Sequence, residues 1–537
     1  MANQRRAGNL SLLLLLTATT GVLGACTLLL SKEPLTCATN SDCAKYPGTT
    51  CDLQALECRA GGSVIDGPVA EGGADAPSDG PIPFEGGDPC TNPNKPVVEL
   101  KGEITANMTL KCDSDYVLVG VVTVAAPFTL TIQPNTTIYG DATIDPATNG
   151  LGTLLIPSGA KIMAIGQADK PIIFTSGKKL GAKYAGDGGT IESGDWGGIY
   201  ILGEAPVNTN AQGTSTKISF GAKGTFGGSK TNSDSGHLEY VRIEYGGSKL
   251  PDGADGAALD LAGVGDATVI DHVMSRFSLN DCVEIIGGRA QLKHFLCQYP
   301  SDDGIAWEAG WTGKAQFVIV QGRPNINDGA NGMQGRSGAV TALPQSEPSI
   351  YNATFIGQNR IPDETLPLGR TLQYGLRLEK FSRAHIMNSA FVGWSDSAID
   401  LRGSNIAADV AAGGTEIKSC VAYGNLGDGT PSNNVAFIEN QPAGGEATDP
   451  TADDDNGFDE LAWWKTPAFN NTDTDPGITK PFDPGGPVFH AGGSINAGTA
   501  AQPPNDGFFD PTAKYVGALK DSSDLWATGK WVRWSGQ

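Results

Sequence analysis

Positive charge is scarce in this chain: 37 Lys and Arg stand against 59 Asp and Glu, a formal net charge of −22 at pH 7. No basic patch stands out, which disfavours nucleic acid or anionic lipid as a charge-driven partner. Divalent cations or cationic partners fit the acid excess better, as does plain solubility of an exported protein. Long helical periodicity is missing, which excludes a helical bundle. Histidine is rare, with 5 residues in 537. His272 and His294 lie 22 residues apart and read as paired polar residues on a solvated face, with no carboxylate or Cys completing a ligand set. The cysteines contain no CxxC pair, so zinc is a poor reading of them. Apolar runs are short, and the LSLLLLL stretch from Leu10 is too brief to favour a membrane-spanning helix.

Glycine is abundant, at 73 residues, and a short pattern recurs. It reads Leu259-Asp260-Leu261, Val283-Glu284-Ile285, Ile305-Ala306-Trp307, Leu376-Arg377-Leu378 and Ile399-Asp400-Leu401. Apolar outer residues around a mostly polar centre mark a short strand with one buried face. Spacings of 24, 22 and 23 residues separate successive or paired members. A second strand keeps the same period, in IDHVMSRF from Ile270 and LKHFLCQY from Leu292. One strand-rich unit every 22 or so residues cannot bury its own apolar face, so the units must stack. The fold class predicted is therefore all-β, a solenoid of stacked coils with parallel strands and covered ends. Trp307 takes an inward repeat position and is expected in the core, whereas Trp311, beyond Gly310, is expected to be exposed and free to stack on a ligand.

The chain ends suggest an exported protein. Arg5 and Arg6 precede the apolar run, small residues follow, and the pattern reads as a secretory signal over residues 1–25. Leu23-Gly24-Ala25-Cys26 resembles a bacterial lipobox, which implies lipidation of Cys26 and a membrane partner through that lipid. Thr27, rather than Asp, follows the Cys and favours the outer membrane and cell surface. Cys37, Cys43, Cys51 and Cys58 form a C-x5-C-x7-C-x6-C cluster, expected as two disulfides in a small knot over residues 26–59. Residues 61–90 hold eight Gly, five Pro and six acids with no Lys or Arg, so 60–96 reads as a flexible linker. The β-helix is assigned to 97–441. Cys90 and Cys112 are expected to tie the linker to it, Cys282 and Cys297 to bridge one coil, and Cys420 to stay buried and reduced. Residues 442–537 carry five of the nine Trp and are expected to cap the last coil.

Several strings together resemble a group of bacterial cell-surface right-handed parallel β-helix proteins, many of them lipoproteins. They are LTIQPNTTIYGD from Leu130, LLIPSGAKIMAIGQADKPIIFTS from Leu154, GDWGGIYILGEAPVN from Gly194, DCVEIIGG from Asp281, SDDGIAWEAGWTGKAQF from Ser301 and FFDPTAKYVGAL from Phe508. The resemblance implies a fold and a surface location and brings no catalytic residues with it. The function expected is a non-catalytic scaffold or adhesion surface for a polysaccharide or cell-envelope protein.

The rival reading is a carbohydrate-active enzyme. Asp281 and Asp303 stand 22 residues apart before successive strands, with Asp302 adjoining, and paired carboxylates can serve as general acid and base on a glycosidic bond. Asn280-Asp281 followed by Asp302-Asp303 resembles the first two motifs of polygalacturonases. The Gly-His-Gly and Arg-x-Lys motifs that should follow are missing; Arg323-Pro324-Asn325 and Arg377-Leu378-Glu379-Lys380 stand in their regions. Asp also suits turns, which every coil needs there. No cofactor is required, and Ca²⁺ is the one candidate: Asp453, Asp455, Asp459 and Glu460 surround Gly457, though without the full EF-hand spacing.

Overall fold

A computed structural model describes residues 49–52, 57–60 and 89–534, apart from 146–149, 187, 210–213, 217, 251–252, 324–329, 339–340, 358–372, 396, 404, 426–456 and 492–499. The chain divides into two units, residues 1–81 with 537, and 82–536. In the first unit, strands Thr49–Asp52 and Glu57–Ala60 pair antiparallel and place Cys51 opposite Cys58. Cys26, Cys37 and Cys43 lie outside the described residues.

The second unit is a parallel β-helix built on one sheet of 24 strands. One row consists of short strands, among them Gly198–Leu202, Leu259–Ala262, Val283–Ile286, Ile305–Glu308, Met333–Gly335, Leu376–Leu378 and Ile399–Leu401, each parallel to the next. The other row consists of long strands, Gly236–Glu244, Val269–Arg276, Gln291–Gln298, Lys314–Gln321 and Ser349–Ile356. Each long strand bends at one residue in left-handed conformation: Tyr240, His272, His294, Phe317 and Asn352, with φ between 49° and 60°. The bend gives two faces per long strand, and each coil is three-sided. Beyond Ile356 the long strand splits at that bend into His385–Met387 with Ala390–Val392, and Glu416–Lys418 with Val421–Tyr423.

Inward residues of all three faces form one core that includes Ile199, Leu259, Val283, Ile305, Trp307 and Leu376. Trp307 is buried as its repeat position requires, and its Nε1–H donates to Ser382 Oγ at 2.9 Å. The next coil makes room for the indole with Gly335, where a Cβ would come within 2.3 Å of the ring. Disulfides join Cys90 to Cys112 and Cys282 to Cys297, and Cys420 is free and buried, its thiol pushed up to about 12 by burial.

The C-terminal region does two jobs where one was expected. Helix Glu460–Trp464 sends Trp463 and Trp464 into the main core, closing the end of the stack. Asn471 extends that closure by bonding Ile417 O and Cys420 N. Trp526, Trp531 and Trp534 instead lie along one side. With Phe489, Ala518 and Leu519 they cover Met274, Leu296, Ile319 and Ile356, apolar residues on the outer side of the long strands. Side chains of the coils grip this strap: Asn352 Nδ2 donates to Tyr515 O, Lys293 Nζ to Phe508 O and Arg242 Nη1 to Lys530 O.

Candidate functional site

The central residues of the short strands form a row on the outer side of the stack, in register from Tyr200 through Asp260, Glu284, Ala306, Gln334 and Arg377 to Asp400. Over the early coils this face is apolar and covered. Leu155, Tyr200, Leu202, Ala262 and Ile286 pack under Val207, Phe226 and Leu250, supplied by longer connections. Further along the stack a recess of about 380 Å³ opens, floored by Glu284, Ala306, Gln334 and Arg377. Asp281, Asp302 and Asp303 line it from the turns that precede the strands, and Glu308 and Arg336 line it from their far ends.

The three aspartates converge, with carboxylate oxygens within 4.8 Å of one another. Asp281 and Asp303 are 5% and 1% exposed, and Asp302 is open to solvent. The buried pair performs the turn function that Asp residues suit. Asp281 Oδ1 accepts the Asp303 backbone N–H at 2.9 Å. Asp303 Oδ1 accepts the Asn331 backbone N–H at 2.9 Å and its side-chain amide at 2.8 Å. Asn331 Oδ1 in turn accepts the Tyr374 N–H at 3.0 Å. One side-chain oxygen per coil thus replaces a missing ladder bond at the corner.

Burial pushes both carboxyls well above the usual carboxylate range, and neighbouring charge adds to it: Asp303, Asp302 and Glu284 around Asp281, and Asp302 beside Asp303. A shared proton or a cation relieves such a cluster. Chemically, a protonated carboxyl beside an ionised one is also the arrangement of an acid–base pair. No histidine lines the recess. Its two guanidiniums are engaged by carboxylates: Arg336 pairs with Glu379 of the next coil, and Arg377 lies 3.0 Å from Glu379 on its own coil. Asp400 continues the network to Arg402 at 2.8 Å.

Other sequence-derived candidates have different surroundings. Trp311 is fully buried, a correction to its expected exposure. The turn at Gly310, φ 92°, folds the indole inward to 5.6 Å from Trp307, and its Nε1–H donates to Ala290 O at 3.0 Å. Asp459 caps the helix Glu460–Trp464, accepting the Ala462 N–H at 2.8 Å, and Glu460 is buried in that helix's first turn; Asp453 and Asp455 lie outside the described residues. His272 and His294 are partly buried rather than on a solvated face, and Asp271 supplies the carboxylate the sequence reading found lacking. The floor residues Glu284, Gln334 and Arg377 escaped that reading. Gln334 hides in Met333-Gln334-Gly335, whose outer Gly breaks the apolar pattern because Trp307 fills its place.

Three-sided coils with an acidic cleft on the short-strand face define a parallel β-helix protein of the kind that exposes a polar groove along its stack. Residues 102–465 match the model of the pectate-lyase-like β-helix domain, and the chain belongs to that family. No curated protein and no solved structure matches the chain.

Proposed function

We propose that this protein is a lipid-anchored cell-surface β-helix that binds a glycan of the envelope or extracellular matrix in the recess, without cleaving it. One observation carries the non-catalytic reading: Asp281 and Asp303 each commit an oxygen to the backbone of the next coil, a structural task that leaves neither carboxyl free to turn toward a substrate. Gln334, Arg336 and Arg377 beside Glu284, Asp302 and Glu308 give donors and acceptors on rigid strands, a surface suited to sugar hydroxyls. Even with Asp281 and Asp303 protonated, the four other carboxylates, Asp255, Glu284, Asp302 and Glu308, outnumber the two guanidiniums and favour a neutral or amine-bearing glycan over a uronate polymer. The secretory pattern and Cys26 support the anchor and the outer-membrane location.

A second reading, a polysaccharide hydrolase, rests on the raised pKa values of Asp281 and Asp303 beside solvent-exposed Asp302. One experiment separates the two. Neutral, amino-sugar and acidic polysaccharides are offered to wild type, Asp303→Asn and Arg377→Ala, with binding and reducing-end release both followed. Binding weakened by Arg377→Ala and kept by Asp303→Asn, with no products, supports the binder. Product release lost in Asp303→Asn replaces it with the hydrolase. Mass spectrometry of the mature N-terminus checks the anchor, and an unmodified Cys26 removes it.

A further inference from the structure

At the corner of the long strands, residues in left-handed conformation build a ladder of rings. Tyr240, His272, His294 and Phe317 have φ of 49°, 51°, 50° and 60°, and successive centroids lie 4.4, 4.2 and 5.0 Å apart. Phenyl-type rings satisfy such a stack at its two outer rungs, yet the two middle rungs are imidazoles. Those rungs adjoin Asp271. Its Oδ1 lies 2.7 Å from His294 Nδ1 and 2.9 Å from His272 Nδ1. The His294 contact is a hydrogen bond, whereas His272 Nδ1 is buried and not oriented to share one. Three ligand atoms from two coils therefore gather within 4.8 Å, and one ring nitrogen has no well-directed partner in the protein.

We propose that Asp271, His272 and His294 bind a divalent transition-metal ion of the zinc class. Two imidazoles and one carboxylate, with a further position for water, are the donors such ions prefer, and nitrogen donors disfavour Ca²⁺ and Mg²⁺. The ion replaces the His294–Asp271 hydrogen bond and clasps strand Val269–Arg276 to strand Gln291–Gln298, which are already paired in register. Trp526 and Trp531 of the strap stand over the site, their rings 5.0 Å from His294 and 5.3 Å from His272, so the ion sits under an apolar roof that also reports on it. The site is separate from the acidic recess and does not depend on how that recess is used.

The test is titration of the metal-stripped full chain with zinc, followed by calorimetry and tryptophan emission, with cobalt absorption reporting the coordination. Wild type is expected to bind one equivalent. His294→Phe preserves the ring ladder, as Phe317 does one rung on, and should lower affinity about 100-fold or more; its metal-free melting temperature, measured alongside, reads the separate loss of the Asp271 hydrogen bond. Asp271→Asn provides the same loss if His294→Phe fails to fold. Three results overturn the proposal: no zinc binding by wild type, binding unchanged in both variants, or binding removed instead by Asp303→Asn.

Discussion

Trp307 and Gly335 occupy the same register position on successive coils, and the indole of one fills the space a side chain on the other would need. Gly335→Ala puts a methyl 2.3 Å from a buried ring that is itself pinned through Ser382. Overpacking of this kind should cost about 1–3 kcal/mol. Trp307→Phe in the same chain should recover part of the loss, and a double-mutant cycle on melting temperature reads the coupling.

The aspartate ladder gives an opposite expectation for two substitutions at one position. Asp303→Ala removes the acceptor for two Asn331 donors and should cost about 1–3 kcal/mol. Asp303→Asn keeps an acceptor oxygen and removes the ionisable group. The folded pKa of Asp303 lies above its unfolded value, so its favourable share of stability is present below about pH 4 and is lost as pH rises through the folded pKa. Asp303→Asn should therefore melt higher than wild type at pH 7, with the gap closing toward pH 4. Melting curves across that range decide it.

Glu244 is buried among cations: Lys179 and Arg242 lie 2.8 Å away, Arg276 at 3.7 Å, and Thr175 donates at 2.9 Å. Burial alone would raise its pKa, but those cations outweigh it and hold the carboxyl well below the usual range. Its stabilisation is present above the unfolded pKa and is lost as pH falls. Glu244→Gln leaves the cations uncompensated and should cost about 3–5 kcal/mol near neutrality, less in acid. Denaturant titration at pH 7 and pH 4 tests both parts.

His385 titrates the other way. Its hydrogen bond to Glu347 at 3.0 Å, aided by Glu416 at 3.4 Å, raises its pKa above that of free imidazole. The stability it adds is complete below about pH 6.5 and is lost as pH rises through the folded value. With 23% of the side chain exposed, the effect is about 1 kcal/mol at most. His385→Gln should flatten the melting temperature between pH 6 and 8.

Much of the scaffold was legible because a period of 22 to 24 residues and a two-residue alternation leave few alternatives to a stack. The inward fate of Trp307 followed from the same alternation. The strap was not legible. Its signal is the apolar outer row Met274, Leu296 and Ile319, which breaks alternation on a face that would otherwise be polar, but only the fold shows what covers it. Asp281 and Asp303 were found by spacing. The floor of their recess was missed because the charges of its central residues vary from coil to coil, and only register places Glu284, Gln334 and Arg377 side by side. Trp311 failed because a turn after Gly310 can fold in either direction, and a local pattern does not say which.

The strap's course also bears on how the molecule comes apart. A stack whose coils touch only their neighbours can fray from either end, one coil at a time. Here a single segment is bonded to Arg242, Lys293, Asn352 and Asn388, residues spread over many coils, so releasing any one coil loosens contacts held by the others. That linkage converts an array of nearest-neighbour units into one cooperative body. Across the coils from Arg242 to Asn388, hydrogen-exchange protection is therefore expected to be lost together with the strap rather than coil by coil.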